Sequence, residues 1–208
     1  MDKKKLTEAL TKAMEDKGKK KFKQSVEVII NMRGIDFSKS ENRLNLDIAL
    51  PKGKGGKELK CAVFAEPAMA DQAKKAGADL VIAPDEIPEW KEKVKELANN
   101  YFLLAQPNLM GEVAKNLGQY LGKRGKLPKP AVGDIGSMIQ RSKKSVRIVS
   151  KGRYLPVAQA LIGSEEMPIE DLVENAEAVY DAVKNKVKES GIKNVYVKLT
   201  MGKSVVVR

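Results

Sequence analysis

Three stretches of this 208-residue chain carry residue types whose spacing could do chemistry. Gly122-Lys123-Arg124-Gly125-Lys126-Leu127-Pro128-Lys129-Pro130 packs four cations, two glycines and two prolines into nine residues. Proline stiffens the backbone and glycine permits close approach, so this is a candidate phosphate-contacting loop; a merely solvated loop fits the composition equally well. Thr200-Met201-Gly202-Lys203-Ser204 offers a hydroxyl, a flat apolar side chain and accessible backbone, which is what reading RNA requires, although a plain turn has the same composition. The carboxylates of Glu165, Glu166, Glu170 and Asp171 could bind Mg²⁺, but acids are ordinary in the first turn of a helix, where the macrodipole favours them.

Other chemistries are disfavoured by what is missing. The chain has no histidine, which removes the commonest general base and zinc ligand. Its one cysteine, Cys61, lies in the apolar run Cys61-Ala62-Val63-Phe64-Ala65 and reads as a small core residue that can form no internal disulfide, consistent with the cytosol. No cofactor or metal site is expected. Aromatic residues make up 5% of the chain and form no spaced ladder, which argues against a single-strand stacking platform. Met1-Asp2-Lys3-Lys4-Lys5 leads into an amphipathic stretch, and no apolar run approaches the roughly 20 residues that cross a bilayer. The expectation is a soluble protein without a secretion signal.

A net charge of +12 favours a polyanionic partner, nucleic acid ahead of an anionic membrane surface. Residues 1 to 60 carry +7, 61 to 114 carry −4, 115 to 153 carry +10 and 154 to 208 carry −1. Uniform solubilising charge would not segregate in this way, so a binding face is the better reading.

The elements that must position these residues follow from hydrophobic period. Leu6, Ala9, Leu10, Ala13 and Met14 recur at helical spacing up to Gly18. From Ser25 the period becomes two, with Val26, Val28, Ile30 and Met32 on one face. Leu44, Leu46, Ile48 and Leu50 mark a second strand, ended by Pro51 and the flexible run from Lys52 to Lys57. The middle alternates continuously apolar strands with helices: 61–65, a helix to Lys75, 79–83, a helix over 86–99, 101–105 and a helix over 109–120. Fully buried strands in βα units imply a parallel sheet covered by helices. Val146-Arg147-Ile148-Val149 then turns at Ser150-Lys151-Gly152 and returns through Arg153-Tyr154-Leu155-Pro156-Val157 as an expected hairpin. A helix over 169–189, stopped by Gly191, and strands at 195–199 and 204–207 complete the chain. The fold class is therefore mixed α/β and α+β in two domains. An antiparallel α+β terminal domain is built from both chain ends (1–54 plus 146–208), and a Rossmann-like three-layer βα domain (55–145) is inserted into it.

At Lys21-Phe22-Lys23-Gln24-Ser25-Val26-Glu27, the Gly122 to Pro130 loop and Thr200-Met201-Gly202, the sequence resembles the ribosomal protein L-one family of the large-subunit side stalk, in its archaeal-type form. The resemblance covers essentially the whole chain. It implies a non-enzymatic protein of the cytoplasmic ribosome, monomeric when free, whose terminal domain grips large-subunit rRNA near the tRNA exit site. It further implies repression of the protein's own mRNA through a look-alike site, and contact with departing tRNA. Carried over by motif, the RNA contacts are Lys21, Phe22, Ser25, Glu27, Thr200, Met201 and Gly202, with Lys123, Arg124 and Lys126 as secondary contacts to RNA or tRNA. Lys21 would neutralise phosphate, Phe22 and Met201 provide apolar contact, and Ser25 and Thr200 bond 2′-hydroxyls or base edges, while Gly202 admits the backbone closely. Glu27 is the odd member, since a carboxylate near RNA repels unless it accepts from a hydroxyl, a base amine or a neighbouring cation. Bacterial-type members often follow Thr-Met-Gly with proline; here Lys203 stands there.

Two other functions compete. A nucleotide- or phosphometabolite-using enzyme could be built on the Rossmann-like middle, but the turn after its first strand, Ala65-Glu66-Pro67-Ala68, has no glycine to admit a pyrophosphate. A DNA-binding repressor would need a recognition helix, and no short basic helix-turn-helix pattern is evident.

Overall fold

A computed structural model describes residues 2–56, 60–150 and 155–208. In chain order the first elements are α1 (Lys3–Ala13), β1 (Ser25–Met32), β2 (Asn45–Ala49), β3 (Lys60–Phe64), α2 (Pro67–Lys75), β4 (Leu80–Ile82), α3 (Val94–Asn100) and β5 (Tyr101–Ala105). They are followed by α4 (Met110–Lys123), β6 (Lys129–Pro130), α5 (Ile135–Lys144), β7 (Ser145–Val149), β8 (Val157–Ser164), α6 (Ile169–Val187), β9 (Ile192–Leu199) and β10 (Val205–Val206). The chain forms two compact units, Met1–Lys57 with Lys144–Arg208 and, between them, Glu58–Lys143. The first departure from unit 1 falls a few residues later than the sequence suggested. Asn175 Nδ2 donates to Gly53 O (2.8 Å) and the Ser164 hydroxyl donates to Gly55 O, so the glycine-rich run stays tied to unit 1.

Unit 1 is an antiparallel sheet in the order β10-β9-β1-β8 with two helices on one face. Strict alternation sends Val26, Val28, Ile30 and Met32 of β1 inward, beside Val195, Val197 and Leu199 of β9. Leu6 and Leu10 of α1 and Leu172, Ala176, Val179 and Val183 of α6 cover them, forming one core in which each buried aliphatic side chain contributes about 1.5–3 kcal/mol. Asp2 caps α1 by accepting from Lys4 N–H at 3.0 Å. The opposite face, with Glu27, Ile29 and Asn31, stays half-exposed.

Among the described residues the expected hairpin does not form. β7 pairs instead with β2, in register from Asn45↔Val149 to Ala49↔Ser145, while β8 pairs with β1. Alternation makes both segments strands but does not choose partners, and the free edge of β2 lies far upstream in the chain. Of the expected turn, Lys151, Gly152, Arg153 and Tyr154 lie outside the described residues. α6 also stops before its expected glycine. It ends at Val187, and Lys188 takes φ +60 and ψ 160, a region that favours glycine. At Gly191 a Cβ would lie 2.8 Å from the tip of the Ile35 side chain, which would have to shift.

Unit 2 is a parallel sheet in the order β4-β3-β5-β6. Ala62, Phe64, Leu103 and Ala105 pack with α3 and α4 on one face, and Cys61, Val63, Ala65 and Leu104 pack with α2 and α5 on the other, which makes three layers. The single helix expected over 86–99 is broken into short 3₁₀ turns at Pro84–Glu86 and Glu89–Lys91 before α3 begins. Pro88 has no N–H to donate in the helical ladder, which outweighs the apolar spacing although Ile87 before it keeps helical angles. Cys61 is fully buried, and burial pushes its thiol up to about 12, so it is no nucleophile at neutral pH. Its N–H donates to Asp79 (2.8 Å), and Lys143 of α5 pairs with the same carboxylate at 3.3 Å.

Candidate nucleic-acid interface

At one end of the unit 1 sheet, the start of β1 meets the turn that follows β9. Thr200 N–H donates to Ser25 O at 3.0 Å, and the Thr200 hydroxyl accepts from Ser25 N–H (3.1 Å) while lying 3.2 Å from Ser25 O as a donor. The hydroxyl expected to face a ligand therefore closes the sheet end on itself, with one oxygen lone pair to spare. Gly202 N–H donates to Leu199 O at 3.0 Å and tightens the turn. A Cβ on Gly202 would sit 3.0 Å from Leu199 Cβ and 3.4 Å from Leu199 N, so the residue serves backbone packing inside the protein.

This frame presents two large apolar side chains to solvent. Phe22 is 51% exposed on the lead-in to β1, and Met201 is 63% exposed at the tip of the turn. Neither has a core to fill. Glu27 lies opposite Lys198 in the β1–β9 register. Lys198 Nζ also reaches Thr200 O at 3.2 Å.

Cations ring the same end. Lys21 is exposed, and Lys23 pairs with Glu166 at 2.9 Å. The Asp16 carboxyl is held below its usual range by a hydrogen bond from Lys19 and by that charge, with Lys203 and Lys20 adding to it against the opposing effect of desolvation. Lys20 and Lys203 thus lie close enough to Asp16 to be felt. Of the carboxylates at the approach to α6, Glu166 is paired with Lys23, Asp171 lies 3.5 Å from Lys52, and Glu165 faces Gln24. Among the described residues no group of three or more acidic or thiol ligands is placed to hold a metal ion.

The second basic stretch belongs to unit 2. Lys123 is exposed at the end of α4, and Gly125 takes φ +63 so that Lys126 N–H returns to Leu121 O (2.8 Å). Arg124 lies 4.8 Å over the Tyr120 ring and donates to Asn99 Oδ1 at 2.6 Å, while Lys129 lies 5.1 Å over Phe102. Two of its cations, Arg124 and Lys129, are thus placed against aromatic rings.

One buried residue was missed in the sequence. Gln24 sits between exposed Lys23 and half-exposed Ser25, yet it is 1% exposed and bonded to three distant segments. Its only sequence signal is its place in the Lys21–Glu27 block.

Comparison with known proteins bears on the same residues. The family model described as "Ribosomal protein L1p/L10e family" matches residues 10–203. A protein of Thermofilum pendens named large ribosomal subunit protein uL1 is 44% identical over 207 residues, covering 96% of this chain and 91% of its own. Proteins of the same name from Thermococcus kodakarensis and Pyrococcus abyssi are 40% and 38% identical, over 98% and 100% of this chain and 97% of each of theirs. Likeness at this level over nearly the full length, spanning both strand-end blocks and the inserted βα unit of this chain, means that the chain belongs to the ribosomal protein L1p/L10e family, in its archaeal form, and is not an enzyme.

Proposed function

We propose that the chain is a constituent of the large ribosomal subunit that binds large-subunit rRNA at the mobile side stalk, near the tRNA exit site, through the sheet end of unit 1. Phe22 and Met201 are the apolar anchors, Lys21 neutralises phosphate, and Ser25, Glu27, Thr200 and Gly202 form the surface between them. Lys123, Arg124 and Lys126 of unit 2 make secondary contacts to RNA or to tRNA. The same sheet end represses translation of the protein's own mRNA by accepting a mimic of the rRNA site. The free protein is a cytoplasmic monomer; no helix among the described residues is long and apolar enough to cross a membrane. The observation that carries this function is the exposure of two large apolar side chains on a hydrogen-bonded frame ringed by lysines.

A nucleotide-using enzyme fits the geometry poorly. In a parallel sheet of this order, ligands enter where strand order reverses, between the C-terminal ends of β3 and β5. There Gln106 Oε1 accepts from Glu66 N–H (3.0 Å) and its Nε2 donates to Glu66 Oε2 (3.2 Å), which fills the crevice and sets a carboxylate where a phosphate would bind. The test is a filter-binding titration with a large-subunit rRNA fragment and its shuffled counterpart, each at two salt concentrations. The fragment is expected to bind about 10³-fold more tightly than the shuffled RNA, both weakening steeply with salt. Equal affinities, or an affinity insensitive to salt, would contradict the proposal.

A further inference from the structure

Gln24 makes four hydrogen bonds from a position that solvent does not reach. Its side-chain Oε1 accepts from Met201 N–H at 3.1 Å. Its Nε2 donates to Glu165 Oε2 at 3.3 Å and to Asp16 O at 3.4 Å, and its backbone carbonyl accepts from Glu165 N–H at 2.9 Å. Glu165 is itself 6% exposed, and the same carboxylate oxygen lies 3.5 Å from Gly18 N–H. One amide therefore joins the end of α1, the β8–α6 connection and the turn that carries Met201. The orientation of the amide follows from this network, since only with oxygen toward Met201 do both ends find a partner.

The chemistry demands a glutamine. Met201 N–H needs an acceptor and the Glu165 carboxylate needs a donor, and a primary amide of this length supplies both without charge. Glutamate would set two carboxylates against each other, lysine cannot accept, and methionine satisfies neither side. We infer that Gln24 is a positioning residue for RNA recognition: it touches no ligand, but it fixes the Met201 backbone relative to the start of β1 and so sets where the two apolar anchors stand. This inference rests on the RNA-binding function proposed above. Lysines at the same end act by charge and tolerate small displacements, whereas apolar contact with a base does not. Gln24 thus governs discrimination between RNAs more than attraction to them.

The test compares the full-length wild type with Gln24→Met, Gln24→Glu and the double variant Gln24→Glu/Glu165→Gln. Two readouts are taken on each folded protein: the ratio of affinities for the rRNA fragment and its shuffled counterpart, and the exchange rate of the Met201 amide without RNA. The single variants are expected to lose about tenfold in the ratio and to show faster Met201 exchange. The double variant swaps carboxylate and amide between the two positions. The carboxylate now at position 24 accepts from Met201 N–H and from the amide now at position 165, while Asp16 O loses its 3.4 Å bond, so both readouts are expected to recover in large part. A role in bulk packing alone would not be restored by that exchange, and the double variant remains informative where a single one fails to fold. Two results overturn the inference: Gln24→Met keeping the wild-type ratio, or a folded double variant recovering neither readout. A wild type that does not distinguish the two RNAs overturns the function instead, and the Met201 exchange rates then still decide whether Gln24 holds the turn.

Discussion

Replacing Phe22 and Met201 together by alanine is expected to weaken binding to the rRNA fragment about 100-fold, with little effect on shuffled RNA or on the slope of affinity against salt. Stacking of a base on an aromatic side chain is worth about 1–3 kcal/mol, and apolar contact from Met201 adds to it, so ~3 kcal/mol for the pair corresponds to that loss. Both side chains are more than half exposed, so truncating them opens no cavity, and the urea midpoint should hardly move. Lys21→Ala should behave in the opposite way, lowering affinity for both RNAs alike and reducing the salt slope by about one. Equal losses on both RNAs from the alanine pair would show that these side chains attract RNA without selecting it.

The largest stability effect is expected at Asn175→Leu. Asn175 is fully buried on α6 and serves three backbone groups: Lys52 N–H (3.0 Å), Gly53 O (2.8 Å) and Ile162 O (2.7 Å). Leucine fills a similar volume but leaves one donor and two acceptors without partners. At about 1–3 kcal/mol for each group left unsatisfied, discounted because two of the contacts are only partly buried, the loss is about 3 kcal/mol. Urea unfolding of the full chain, followed by a signal from unit 1, should show a clear fall in midpoint. An unchanged midpoint would mean that water replaces all three bonds.

Hydrophobic period carried much of the fold. Val26 to Met32 alternate in the sequence as they do in β1, and the continuously apolar strands around Val63 and Leu104 announced a parallel sheet with both faces covered. Partner choice was not legible, because the pairing of Asn45–Ala49 with Ser145–Val149 depends on which edge is free once the core closes. Pro88 stands within the span 86–99 read as one helix, and the folded chain begins α3 only at Val94.

In the site, residue types named the partner while long-range hydrogen bonds assigned the roles. Glu27 looked misplaced until the register set Lys198 across from it. Thr200 read as a ligand group, and its hydroxyl instead ties the turn to Ser25. Glu165 read as helix-start charge, and it holds Gln24 from 141 residues away. No local pattern could reveal that, because the burial of a polar side chain next to exposed lysines is decided by segments that meet only in the folded chain.

Charge is expected to draw RNA to the protein, and the sheet end of unit 1 to choose which RNA stays. Amide hydrogen exchange of the full chain, with and without the rRNA fragment and at low and high salt, tests this most directly. Protection should appear at residues 21–27 and 199–203 and persist at high salt for as long as RNA remains bound, while any protection at 123–129 fades first. Protection confined to 123–129, with no change at the sheet end, would contradict it.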